Sequence, residues 1–79
     1  MYTVYILKSI KNNFLYIGST EDISKRIKLH NLGKVKSTQA YRPWELKEIR
    51  KFKTRGEAVK EELFLKTGQQ KEILRKKYK

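Results

Sequence analysis

Five side chains of this sequence could form a reactive site: Tyr5, Tyr16, Arg26, His30 and Glu62. Tyrosine, histidine and glutamate exchange protons, and arginine binds a carboxylate or a phosphate through two parallel hydrogen bonds. The neighbours of the last three predict that they point inward rather than into solvent. In a chain of only 79 residues, this set of groups predicts a site rather than an ordinary solvated surface.

Two of these residues share one face of a predicted helix. At about 100° per residue, Arg26 and His30 lie one turn apart, beside the apolar stripe formed by Ile23 and Ile27. Each has a structural explanation when taken singly: a buried histidine that bonds a backbone carbonyl, or an arginine whose aliphatic stem covers the core. Their position next to the tyrosine-bearing strands favours a functional interpretation.

Glu62 lies in the middle of the apolar stripe of a later predicted helix, between Ala58 and Leu65. Burying an unpaired carboxylate costs several kcal/mol, so a positive charge should face it. A salt bridge to Arg26 and a divalent metal ion fit the sequence equally well. One histidine, no cysteine and a single aspartate argue against a zinc cage or a two-metal site. The metal site that stays consistent with the sequence is a single Mg²⁺ or Mn²⁺ ion bound by Glu62 and water molecules.

The composition predicts a polyanionic partner. Twenty Lys and Arg against eight Asp and Glu give a net charge of +12 at pH 7, well beyond what solubility requires. Tyr41 and Trp44 lie among the basic residues and could stack on bases, so DNA fits better than a merely solvated surface. We expect DNA contacts from the basic loop over residues 33–43 and from one helical lysine: Lys34, Lys36, Ser37, Thr38, Tyr41, Arg42 and Lys66.

The absence of cysteine excludes disulfides and thiolate metal sites. The longest apolar run is far shorter than the roughly 18 residues that a membrane span requires. Met1 leads directly into a strand pattern, without a signal-peptide layout. We therefore expect a cytoplasmic protein without a membrane partner. We also expect one domain over residues 1–79 and a monomer, with only about 60% of the unfolded surface buried.

Aromatic and β-branched residues predict two strands at residues 2–8 and 14–19, joined as a hairpin by an Asn-rich turn. A helix is predicted over residues 22–31, with Ser19 or Thr20 as its N-cap. The chain should therefore begin with a β-hairpin that leads into a helix.

A third strand is predicted from the alternating residues Trp44 to Phe52, with Trp44, Leu46 and Phe52 on one face. Two helices should follow, over about residues 54–66 and 69–77. The order β β α β α α indicates an α+β fold, in which a small three-stranded antiparallel sheet is flanked by helices.

Taken in order, these motifs resemble those of the GIY-YIG nuclease superfamily. Thr3-Val4-Tyr5 corresponds to the first motif and Tyr16-Ile17-Gly18 matches the second, followed by Arg26, His30-Asn31 and a helix that carries Glu62. The resemblance spans residues 2–66 and is strongest to short stand-alone members related to the catalytic domain of the bacterial excision-repair nuclease subunit. Thr3-Val4 replaces the Gly-Ile of the first motif, and Ser19 stands where some members carry lysine.

The resemblance implies an endonuclease that cleaves DNA with one divalent metal ion. Glu62 would hold the Mg²⁺ or Mn²⁺, and Arg26 would stabilise phosphate charge. Protons and water would be handled by Tyr5, Tyr16 and His30. Two candidates for the general base stay open. A phenol such as Tyr16 costs roughly 4 kcal/mol to ionise at pH 7, which the metal ion and Arg26 would have to lower. An imidazole titrates near neutrality, so His30 could take the proton while Tyr16 orients it.

Two other functions fit the same sequence. A catalytically weak or inactive nucleic-acid-binding module would keep the fold and the charge, and a basic accessory protein would bind an acidic protein partner. For the enzyme, contacts to phosphates give little base specificity. Branched or damaged DNA, as in DNA repair, is therefore a candidate substrate, and a protein partner could direct the enzyme to it.

Overall fold

The chain folds into three strands and three helices, and the computed structural model describes all 79 residues. The elements are β1 (Tyr2–Ser9), β2 (Leu15–Thr20), α1 (Ile23–Asn31), β3 (Trp44–Phe52), α2 (Arg55–Leu65) and α3 (Gly68–Lys77). A short 3₁₀ turn lies at Gln39–Tyr41, within the predicted loop. The strands form one antiparallel sheet in the spatial order β2-β1-β3. The predicted α+β fold and element order are confirmed.

The central strand β1 divides the interior in two, because successive side chains of a strand point to opposite faces of the sheet. Val4 and Ile6 point toward α2 and α3. They belong to a continuous apolar core: Val4, Ile6, Ile17, Ala58, Leu65 and Leu74. Fully burying one such aliphatic side chain contributes about 1.5–3 kcal/mol. We call this side of the sheet the α2 face.

The opposite side of the sheet, which we call the α1 face, has a different interior. Tyr5, Leu7 and Trp44 form its buried cluster, and Ile23 and Ile27 of α1 pack on them. The predicted apolar stripe of this helix therefore does dock on the sheet.

A β-bulge in β3 reverses the direction of its side chains halfway along the strand. Ile6 and Leu7 are adjacent on β1, but their partners on β3 are two residues apart. Lys47 between them therefore has no pairing residue on β1. Trp44 consequently packs on the α1 face, whereas Phe52 packs against the core of the α2 face. The prediction that Trp44 and Phe52 share one face is wrong, because the extra residue breaks the alternation.

The helices begin at polar caps. The carboxylate of Asp22 accepts a hydrogen bond from the backbone N–H of Lys25 at 3.1 Å, so Asp22 is the N-cap of α1. The predicted caps Ser19 and Thr20 instead belong to β2. Thr54 caps α2 in a reciprocal capping box. None of the three helices is both long enough and apolar enough to cross a membrane.

Candidate active site

Gly18 allows the Tyr5 side chain to lie across β2, the edge strand of the sheet. The two residues are partners in the β1–β2 ladder. A Cβ atom on Gly18 would lie 2.6 Å from the Tyr5 hydroxyl oxygen and 3.0 Å from the Tyr16 ring, closer than real atoms approach. The Tyr5 and Tyr16 ring centroids are 6.2 Å apart. The glycine therefore brings both phenols together at one edge of the α1 face.

His30 lies beneath these phenols and is completely buried. Its Nε2 atom lies 2.9 Å from the Tyr5 hydroxyl oxygen, and its Nδ1 atom lies 2.8 Å from Oγ1 of Thr38. The His30 ring is also 5.0 Å from the Tyr16 ring, centroid to centroid. Burial, and to a lesser extent the charge of Arg26, lowers the pKa of His30. The imidazole is therefore neutral in the folded protein near pH 7.

Arg26 brings a positive charge to the same place, one turn before His30 on α1. Its Nε atom is buried and has no hydrogen-bond partner. Burial raises the pKa of Tyr5, and the neighbouring Arg26 guanidinium opposes that rise. A buried donor without an acceptor is unfavourable by about 1–3 kcal/mol, and more when the group is charged. The guanidinium is therefore prepared to bind an anion.

Glu62 approaches this edge of the sheet from the α2 face. The hydroxyl of Ser19, next to Gly18, donates a hydrogen bond to Oε1 of Glu62 at 2.8 Å. Nζ of Lys66 contacts Oε2 at 2.7 Å. These partners replace the salt bridge to Arg26 that the sequence allowed. The side chain of Glu62 is 21% exposed, so the inward direction predicted for it is correct but its burial is incomplete.

Two residues expected to contact DNA are buried and support the site instead. Trp44, proposed to stack on bases, is only 5% exposed. Its backbone N–H and C=O bond the Asn31 side chain at 2.6 and 3.2 Å, and its indole N–H donates to the Thr38 carbonyl at 3.0 Å. Thr38 is 0% exposed, so its hydroxyl cannot reach a phosphate. Both expectations are wrong, because the loop folds inward at these positions.

The remaining expected DNA contacts are on the surface: Lys34, Lys36, Ser37, Tyr41, Arg42 and Lys66. Tyr41 packs the edge of its ring against Phe14, with centroids 4.6 Å apart. Lys66 is the only one of the six that also touches a residue of the site, through its ion pair with Glu62. The structure leaves their contact with DNA as a prediction.

The donor set around Glu62 fits one hard divalent cation. No group of three or more His, Cys, Asp or Glu side chains converges anywhere in the chain. Mg²⁺ is commonly held by one or two carboxylates, with waters and substrate phosphates as the other ligands. Lys66, whose side chain is 43% exposed, can swing into solvent and free one Glu62 oxygen. Glu62 is therefore a suitable protein ligand for a single Mg²⁺ or Mn²⁺.

Comparison with known proteins gives this geometry a family. The model of the GIY-YIG catalytic domain matches residues 1–79, the whole chain. The protein therefore belongs to the GIY-YIG family, whose domain is that of a nuclease and generally uses a divalent metal.

The relatives are short stand-alone proteins with the same fold. UPF0213 protein YazA of Bacillus subtilis is 42% identical over 72 residues, which cover 87% of this chain and 72% of the relative. UPF0213 protein SSP2268 of Staphylococcus saprophyticus is 43% identical over 65 residues, which cover 81% and 78%. The solution NMR structure of UPF0213 protein BH0048 from Bacillus halodurans matches with a TM-score of 0.56 and 36% identity, over 94% of this chain and 82% of that one. These names state no activity.

Proposed function

We propose that this protein is a divalent-metal-dependent endonuclease that hydrolyses phosphodiester bonds in DNA. The observation that carries the proposal is the partly buried Arg26, whose Nε lacks a hydrogen-bond partner, beside the buried Tyr5–His30 pair. A DNA phosphate at the solvent-facing part of the guanidinium would supply the missing negative charge. Because the charge on a phosphate grows in the transition state, a guanidinium fixed at this position would accelerate hydrolysis.

Glu62 would hold the Mg²⁺ or Mn²⁺, with phosphate and water completing its coordination. When bound, such an ion neutralises charge on the phosphate and polarises its bonds. Glu62 lies at the same sheet edge as Tyr5, because it accepts a hydrogen bond from Ser19, the residue next to the Tyr5 partner Gly18. The positive charge of Arg26 and that of the metal ion would thus approach the phosphate from opposite faces of the sheet.

Tyr16 is our choice for the group that orients the attacking water and, in its phenolate form, receives its proton. His30 is the weaker candidate, because it is completely buried and both ring nitrogens already have partners. Tyr16 is only partly buried and its ring lies beside that of His30. His30 would therefore act on the reaction through the phenols that surround it.

The exposed basic residues would hold the DNA backbone on either side of the cut. Lys34, Lys36, Ser37 and Arg42 line the exposed part of the loop, and a chain with net charge +12 attracts a polyanion from all directions. Contacts of this kind read no bases. We therefore propose recognition of a DNA shape, such as a branch or a damaged site, rather than of a sequence.

Nicking of supercoiled plasmid tests the proposal directly. We expect the purified protein to nick plasmid in Mg²⁺ or Mn²⁺ and to stop when a chelator is added. Glu62→Gln should abolish nicking, because the neutral amide binds the cation poorly. The matched control is Glu72→Gln, which changes an exposed glutamate of α3 and should nick as the unchanged protein does. Equal nicking by both variants would contradict the role given to Glu62.

One observation favours a non-catalytic DNA-binding module as the second candidate. Both carboxylate oxygens of Glu62 already have partners, in Ser19 and Lys66, so the residue satisfies its charge without a cation. A module of this kind would bind DNA tightly, with strong dependence on salt, and would leave plasmid intact at every metal concentration. Measuring binding and nicking on the same preparation separates the two candidates.

A further inference from the structure

A chain of buried hydrogen bonds runs from Tyr5 through His30 to Thr38. The Tyr5 hydroxyl, which lies beside the Arg26 guanidinium, contacts Nε2 of His30 at 2.9 Å. Nδ1 of His30 contacts Oγ1 of Thr38 at 2.8 Å. The Thr38 hydroxyl then donates to the carbonyl oxygen of Val35 at 3.3 Å. Tyr5, His30 and Thr38 are each at most 1% exposed, so water is not available to replace these bonds.

The Thr38 end of this chain fixes its direction, because a carbonyl oxygen only accepts hydrogen bonds. The Thr38 hydroxyl has one hydrogen, which it gives to Val35, so it must accept the bond from His30. Nδ1 of His30 therefore carries the ring proton, and Nε2 accepts the hydrogen of Tyr5. The Tyr5 oxygen is then left as an acceptor facing Arg26.

The opposite tautomer of His30 would break this pattern. With the proton on Nε2, the imidazole would donate to Tyr5, and the Tyr5 hydrogen would turn toward the donors of Arg26. Two donors would then face each other in a buried space, which is unfavourable because neither finds an acceptor. The guanidinium would move away from the position in which it can meet a phosphate.

We propose that Thr38 is a positioning residue, which selects the Nδ1–H tautomer of His30 and thereby holds Tyr5 and Arg26 in their working orientation. Its catalytic consequence rests on the function proposed above, but the tautomer itself does not. The inference also explains why a polar residue of the basic loop is buried. Its hydroxyl serves the site, and its carbonyl accepts the indole N–H of Trp44.

The tautomer can be read without any assay of activity, because the chain contains a single histidine. A long-range ¹⁵N–¹H correlation spectrum of uniformly labelled protein shows one imidazole and distinguishes its two nitrogens. We expect Nδ1 to carry the proton at neutral pH in the unchanged protein. A spectrum with the proton on Nε2 would overturn the proposal at once, whatever the variants do.

Two substitutions at position 38 then assign the effect to the hydroxyl. Thr38→Val keeps the shape of the side chain and should shift the tautomer toward Nε2–H or a mixture, whereas Thr38→Ser should keep Nδ1–H. The single tryptophan reports on folding by fluorescence, since its bond to the Thr38 backbone remains. If Thr38→Val retains the wild-type tautomer, the hydroxyl does not select it. If that variant does not fold, Thr38→Ala takes its place.

Nicking by the same variants separates this inference from the proposed function. Thr38→Val should slow nicking by roughly 10-fold to 100-fold, the range found when the outer hydrogen-bond partner of a metal-bound histidine is removed, with unchanged affinity for DNA. Thr38→Ser should restore the rate. A protein that nicks no DNA but shows the Nδ1–H tautomer would refute the nuclease and leave the role of Thr38 in the hydrogen-bond chain intact. A normal rate in Thr38→Val would refute its catalytic consequence.

Discussion

The two faces of the sheet are buried to a similar degree but have opposite chemistry. The α2 face holds only apolar side chains in its buried core. All four buried polar residues, Thr3, Ser9, His30 and Thr38, lie on the α1 face or are bonded to it. One face therefore stabilises the fold through hydrophobic burial, whereas the other uses its interior to fix hydrogen-bonding groups.

This difference shows how so small a protein divides its interior. Only 14 of the 79 residues are buried, so each buried polar residue takes a place that an aliphatic side chain could fill. Natural domains accept such losses mainly where function requires them. Substitutions on the α2 face should therefore affect stability, and substitutions on the α1 face should affect the site more than the fold.

The largest loss of stability should come from the α2 face. Leu65→Ala removes a side chain that is 1% exposed and should lower the free energy of unfolding by about 2–5 kcal/mol. Val59→Ala on the same helix is the control, because Val59 is 40% exposed and should change stability by less than about 0.5 kcal/mol. Urea denaturation of the two variants measures both. Equal effects would mean that this core is not what holds the domain together.

A polar group at the border of the same face should make stability depend on acid. A hydrogen bond from Tyr78, helped by Arg50 and Lys77, lowers the pKa of Glu48 to about 2. Since the pKa of an unfolded glutamate is higher, this stabilisation is complete above about pH 5 and is lost as the pH falls toward 2. At about 1.4 kcal/mol per pKa unit, it amounts to about 3 kcal/mol.

Glu48→Gln should flatten this part of the stability profile. Urea midpoints measured from pH 6 down to the acid limit give the slope, and Glu72→Gln, which changes an exposed residue, should leave it unchanged. A variant with the full acid dependence of the unchanged protein would show that other carboxylates are responsible.

A single methyl group should distinguish the α1 face by its effect on the site. Gly18→Ala places a carbon where the Tyr5 hydroxyl lies, so the ring must move and its bond to His30 should break. We expect a loss of about 1–3 kcal/mol from overpacking. The His30 imidazole signals should shift at the same time. Gly56→Ala is the control, because nothing lies within 4 Å of its new carbon, and unchanged His30 signals in Gly18→Ala would contradict the close contact.

The smallest effect should be the pH dependence that His30 gives to the α1 face. Burial and Arg26 lower the pKa of His30, so the unfolded chain binds a proton at a higher pH than the folded one. Its contribution to stability is complete above about pH 6.5 and declines as the pH falls below that value. His30→Gln should lose this decline. If the profile of that variant matches the unchanged protein between pH 7 and 5.5, His30 is not the group that titrates.

Most of the fold could be predicted from the sequence, because its signals are local. Strand composition and apolar periodicity placed the elements within a residue or two, and Ile23 and Ile27 identified the docking stripe of α1. The orientation of β3 could not be predicted, since a bulge depends on pairing with another strand. Nothing in the sequence around Lys47 indicates that this residue will lack a pairing residue on β1.

The site was predicted in part, and the errors have a common cause. Periodicity placed Arg26 and His30 on the inward face of α1, and the structure brings them to Tyr5 and Tyr16. The partners of these residues were not predictable, because Ser19 bonds Glu62 across 43 positions of the chain. The sequence predicts Thr38 as a surface contact, because it lies in a basic loop. Its burial depends on Trp44 and His30, which only the folded chain brings together.

The unpaired Lys47 lets one strand contribute to two different interiors. Before Lys47, β3 places the indole ring of Trp44 on the α1 face. After Lys47, it places the phenyl ring of Phe52 on the α2 face. If β3 paired without the bulge, its residues would alternate strictly. Trp44 and Phe52 would then lie on the same face, and one of the two interiors would lose its aromatic ring. The site therefore depends on the register of the edge strand β3 as well as on its reactive groups.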